Sequence, residues 1–95
     1  LQHWLKTHPP EVPVRLLLAT SLAQGDDRAG AQAQYLAVLQ QEPDNITALN
    51  NIAWLLRNDR PEHALEYIRR AAKLAPDHPE VIDTLAAVET LQAGQ

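Results

Sequence analysis

The sequence predicts an all-α fold, a right-handed α-solenoid of antiparallel helix pairs, on three observations. The dipeptides Leu18-Ala19, Ile52-Ala53 and Leu85-Ala86 stand 34 and then 33 residues apart. Pro9, Pro43 and Pro76 keep the same interval, and an acidic residue follows two of them, as Pro43-Asp44 and Pro76-Asp77. Between these markers apolar residues recur three and four positions apart, as in Leu18 and Leu22, or Leu49, Ile52, Ala53 and Leu56. That spacing lines one side of a helix, and each interval holds two helices with their turns.

The elements follow in order along the chain. Half a helix at 2–7 carries Trp4 and ends before Pro9, and a helix at 12–24 follows it. Gly25, six residues after Ala19, suits the left-handed conformation that stops a helix, and Asn58 suits it five after Ala53. The residue missing from the shorter interval therefore falls in the last turn of its first helix. Asp27 is placed to cap a helix at 28–41, and Asp44 or Asn45 to cap one at 46–57. Pro61 and Pro79 open helices at 61–74 and 79–91, where a missing N–H costs nothing. One domain results: the end of a preceding repeat at 1–11, repeats at 12–45 and 46–78, and the first helix of a third at 79–95.

Small residues mark where helices should cross. Ala19, Ala53 and Ala86 in the first helices and Ala31, Ala64 and Ala71 in the second allow close approach. Leu18, Ile52, Leu56 and Leu65 or Ile68 fill the space between them. A single pair cannot enclose its apolar side, so stability must come from stacking.

The register resembles that of the tetratricopeptide repeat, whose pattern runs Trp, Leu-Gly and Tyr in one helix and Ala, an aromatic and Pro in the next. The second repeat is similar to it through Leu49, Ile52-Ala53, Leu56, Ala64, Ile68 and Pro76. The first is similar through Leu18-Ala19, Leu22, Ala31, Tyr35 and Pro43, with Arg15 in the first tryptophan place. The run 48–56 with Asp83-Thr84-Leu85-Ala86 is also similar to large bacterial repeat proteins of envelope assembly and exopolysaccharide secretion. The chain starts at Leu1 and contains no methionine, so it is expected to be a piece of a longer bacterial protein of this kind.

Composition removes several functions. At 95 residues and 10.6 kDa, with 45% hydrophobic and 21% charged residues, the chain has the make-up of one folded domain. Its longest apolar run, Leu16-Leu17-Leu18-Ala19, is far short of the ~18 residues a bilayer span needs, so no membrane insertion is expected. A net charge of −4 opposes a grip on nucleic-acid phosphates. With no cysteine there is neither a disulfide nor a thiolate metal site. His3 and His8 are five apart, and His63 and His78 lie far from each other, so neither pair shares a helical face as metal ligands would. Ser21 is the lone serine and no glycine loop brackets it, so neither catalysis nor a cofactor is expected. Asp26-Asp27 and Glu62 with Glu66 read as capping and solvated groups.

What remains is a surface. The resemblance implies that first helices line a concave groove. Carried over by register, this names Leu16, Thr20 and Ala23, then Thr47, Asn50, Asn51, Trp54 and Arg57, then Asp83, Ala87 and Thr90. Trp54 beside Arg57 and the amides of Asn50 and Asn51 has the make-up of a peptide anchor. The competing role for Trp54 is packing against the adjoining first helices, and for the two amides, satisfying backbone groups between repeats. A chaperone-type carboxylate clamp does not fit, since Leu16, Glu80 and Thr84 stand where it would want basic or amide groups.

The expected function is a non-enzymatic interaction module that holds a partner peptide or helix in its groove. The alternative is an architectural spacer or self-assembly scaffold within a larger envelope or exopolysaccharide-related protein. Apolar stripes at the two ends, Leu1, Trp4 and Leu5 at one and Val81, Leu85, Val88 and Leu91 at the other, point to association with a second copy.

Overall fold

The computed structural model describes residues 11–94. They form five helices: α1 (Glu11–Gln24), α2 (Arg28–Gln41), α3 (Ile46–Leu56), α4 (Pro61–Leu74) and α5 (Pro79–Ala93). No strand occurs among the described residues. The half helix expected at 2–7, with Trp4 and the stripe of Leu1 and Leu5, lies outside them, as do His3 and His8.

Each helix packs on the next in sequence. The first helices of successive pairs also touch, α1 with α3 and α3 with α5, whereas α2 and α4 do not. A stack whose first helices meet and whose second helices splay apart bends toward the first helices, leaving that side hollow. The described chain is correspondingly long and thin, 50 × 29 × 19 Å, with a radius of gyration of 13.9 Å. A compact domain of this length would have about 12 Å. α3 is the centre of the array, because it alone contacts all four other helices. Its Ala48, Leu49, Ile52, Ala53, Leu55 and Leu56 are buried accordingly.

The helix ends show how the chain turns. After α1 the amide of Asp27 bonds to Leu22 O at 2.8 Å and that of Asp26 to Ala23 O at 3.2 Å. This double closure needs a left-handed residue, and Asp26 supplies it at φ 68°, not Gly25 as expected. Counting from the closing hydrogen bonds puts the left-handed place one residue beyond the glycine. A short carboxylate tolerates that conformation better than most side chains. Asp27 then caps α2, accepting from Gly30 N at 2.9 Å. A Cβ on Gly30 would stand 2.6 Å from the Asp27 carboxylate, so glycine at this helical position leaves room for the cap. Asn45, of the two candidates, caps α3 by accepting from Ala48 N at 2.9 Å.

α3 ends three residues after Ala53, whereas α1 runs five past Ala19. Asn58 is not left-handed: Arg57 stays right-handed at φ −56°, ψ −33°, and the amide of Arg60 returns to Leu56 O at 2.8 Å. Pro61 and Pro79 open α4 and α5 as expected.

The crossings fall where the small residues predict, with one correction. Ala19, Ala31, Ala53, Ala64 and Ala71 are fully buried, and Ile52, Leu56 and Ile68 fill the seam. Ala86 is exposed. Leu18 is also exposed, whereas Ile52 at the same register is fully buried in α3, the helix that touches all four others. The α5 stripe needs correcting as well. Val81 and Val88 are fully buried and Leu85 half-buried, since this side of α5 packs on α4; Ile82 and Leu91 are the ones left exposed. Arg15, in the first tryptophan place, donates from Nη1 to Gln34 Oε1 at 2.8 Å, replacing an aromatic contact between α1 and α2 with a hydrogen bond.

Ile68→Ala should cost about 2–5 kcal/mol in urea unfolding, because it empties a fully buried site. Leu18→Ala, at a position that is already exposed, should cost about 1 kcal/mol or less. Equal costs would show that the two sites are equally enclosed.

Candidate functional site

The hollow side contains a cavity of about 480 Å³ between the C-terminal halves of α1 and α3. That is within the range of sites that enclose a few side chains of a ligand. Thr20 and Ala23 of α1 form one wall, and Asn51, Trp54 and Arg57 form the other. These five come from the sequence-derived groove set. Thr20 and Trp54 share a register position, as do Ala23 and Arg57, so small side chains face large ones across the gap and leave it open.

Trp54 is 46% exposed, so it is not enclosed by the adjoining helices. The guanidinium of Arg57 lies 3.8 Å from its ring centroid, and Arg57 Nη1 donates to Trp54 O at 2.6 Å. One ring face is thus covered by a cation, a contact worth about 0.5–1 kcal/mol where solvent reaches it. Trp54 lies in the last turn of α3, which ends at Leu56, and Arg57 follows it at the start of the loop.

The remaining groove candidates are placed elsewhere. Leu16 and Ala87 are half-buried, and Thr47, Asp83 and Thr90 are exposed, but none of them borders the cavity. Asn50 is turned inward, 7% exposed, and its Nδ2 reaches Asn51 Oδ1 at 3.4 Å. Its Oδ1 has no hydrogen-bond partner among the described residues. α5 packs on α3 more extensively than α3 does on α1.

Sequence reasoning missed the floor and the rim. Tyr35 of α2 is 3% exposed, yet its hydroxyl comes up between the first helices to 3.5 Å from Thr20 Oγ1. Thr20 itself donates to Leu16 O at 3.0 Å. The repeat register marks Tyr35 only as the aromatic of the second helix, and nothing local in the sequence ties it to Thr20. Gln24, Asp26 and Asn58 complete the rim, with Leu55 and Arg28 below.

Arg28 did carry a signal. A cation in the first turn of a helix opposes the helix dipole and needs compensation from elsewhere. Here Nη1 pairs with Asp59 Oδ2 at 2.9 Å and Nη2 donates to Leu55 O, linking the start of α2 to the turn after α3. Both partners of the ion pair are about half exposed, so its worth is at most about 1 kcal/mol and its role is to hold the two turns together. No three His, Asp or Glu side chains converge as a metal site among the described residues.

No family model matches the chain. It is 30% identical over 94 residues to a TPR repeat-containing protein of Pseudomonas aeruginosa, across 97% of this chain and 16% of that protein. The chain thus spans about a sixth of the length of the curated relative it matches. Its all-helical structure, with helix pairs set 33 to 34 residues apart and small residues at their crossings, is consistent with the tetratricopeptide repeat for which that relative is named.

In a Trp4→Phe background, Trp54 should emit at long wavelength and be readily quenched by acrylamide, and Trp54→Ala should change stability by about 1 kcal/mol or less. Blue-shifted, shielded emission with a large loss of stability would return Trp54 to the core.

Proposed function

We propose that the chain is a non-enzymatic protein-interaction module that receives a peptide or helical segment of a partner on its hollow side, anchored at Trp54. The observation that carries this reading is the open cavity beside a half-exposed tryptophan whose neighbours are polar. A large, rigid aromatic left uncovered at the wall of a concavity contributes little to folding and much to a contact. The Pseudomonas relative is a TPR repeat-containing protein, and that description supports an interaction role without naming a partner. Since repeats act together, a chain with few of them should bind weakly, in the micromolar range or above.

Selection of displayed random peptides on the wild-type chain, repeated on Trp54→Ala, tests the proposal. Peptides recovered on the wild type should lose about tenfold or more in affinity on Trp54→Ala. Peptides indifferent to that substitution would remove the groove as the binding site.

The scaffold reading keeps one observation in its favour, the apolar surface at both ends. Val14, Leu17 and Leu18 on α1 and Ile82 on α5 are exposed, and Leu17 reaches 74%. Association through these ends predicts a rise in mass with concentration by light scattering, abolished by Leu17→Gln with Ile82→Gln. A strictly monomeric chain at high concentration would refute it.

A further inference from the structure

Resting on the groove reading above, we infer that the cavity selects a partner segment in which a single acidic side chain neighbours the apolar residue seated against Trp54. The charges around the cavity carry the inference. Two guanidiniums and one carboxylate border it, those of Arg28, Arg57 and Asp26. Arg28 is already neutralised by Asp59 at 2.9 Å. Arg57 makes no ion pair among the described residues, although the chain as a whole carries a net charge of −4.

Arg57 is held ready for a carboxylate. Its ring contact with Trp54 and the bond from Nη1 to Trp54 O fix the plane of the guanidinium. Of the five N–H donors of an arginine, most remain unused, and a fixed fork of donors matches the two oxygens of a carboxylate. Trp54 stays 46% exposed with that contact in place, which leaves indole surface for an apolar side chain. With the guanidinium 3.8 Å from the ring centroid, an acid on Arg57 and an apolar group on Trp54 fall within the reach of residues adjacent or nearly adjacent in a peptide.

Asp26 limits the charge to one. It borders the same cavity, is exposed and forms no ion pair among the described residues. A second acid in the partner would approach it and be repelled. A run of acids is thereby disfavoured, and a segment with one acid flanked by neutral or basic residues is favoured. The floor, the Tyr35 hydroxyl with Thr20, offers polar groups that do not discriminate by charge.

The experiment is a display library of short, blocked peptides with a fixed central Leu or Phe and randomised flanks, selected on the wild type, Trp54→Ala, Arg57→Gln and Asp26→Gly. Thermal melts of all four check folding, and Asp26→Gly should melt no lower than the wild type because glycine suits the left-handed turn. Wild-type selection should enrich one Asp or Glu near the fixed residue. Peptides with that acid should lose about tenfold on Arg57→Gln, while their Gln counterparts lose nothing. On Asp26→Gly a second acid should become tolerated. Trp54-dependent peptides with no acid preference, or an acid preference that persists on Arg57→Gln, would overturn the inference and leave the groove reading intact. Preference for acidic runs on the wild type would overturn it as well. If no peptide depends on Trp54, the groove reading itself fails, and the inference with it.

Discussion

The structure depends on the close approach of helices at alanine, which lets α3 sit in contact with all four of its neighbours. Ala19, Ala31, Ala53, Ala64 and Ala71 are fully buried, each at a crossing where a larger side chain would hold two helices apart. Around them Leu49, Ile52, Ile68 and Val38 are sealed completely. The apolar side of each pair is enclosed only by the next, so stability belongs to the stack and not to its units.

The hollow is a consequence of the same geometry. First helices meet across the repeats while second helices splay apart, and the inner side is therefore made of the exposed positions of α1, α3 and α5. Where those positions are small on one helix and large on the next, as with Thr20 and Ala23 against Trp54 and Arg57, the helices leave a gap that their own side chains do not fill. The Arg28–Asp59 pair and the bond from Arg28 to Leu55 O tie together the turns beneath that gap. What holds the repeats in place is therefore apolar and shared, and what faces a partner is polar, aromatic and charged.

Much of the fold was legible because its causes are periodic or local. Residue spacing located all five described helices, and the small residues located the crossings, since both follow from the repeat. The failures have physical reasons. Gly25 drew attention as the residue most free to turn, but the closing hydrogen bonds put the left-handed place at Asp26. Val81 and Val88 were read as exposed and are buried, because periodicity shows that a helix has an apolar side without saying which neighbour takes it. In the site, Trp54, Arg57, Asn51, Thr20 and Ala23 followed from register. Tyr35 and Arg28 did not, since they reach the cavity from another helix and from a turn 27 residues before Leu55. Asn50, Asp83 and Ala87 share the register of groove residues but do not border the cavity, which lies between α1 and α3 and not between α3 and α5.

Native-state amide hydrogen exchange, resolved by residue, tests most directly the claim that stability is shared through α3. A stacked array predicts the slowest exchange in α3, with protection falling outward to α1 and α5, each of which is enclosed on fewer sides. Uniform protection across all five helices, or slowest exchange in α1 or α5, would contradict a stack and indicate a closed bundle without a hollow side.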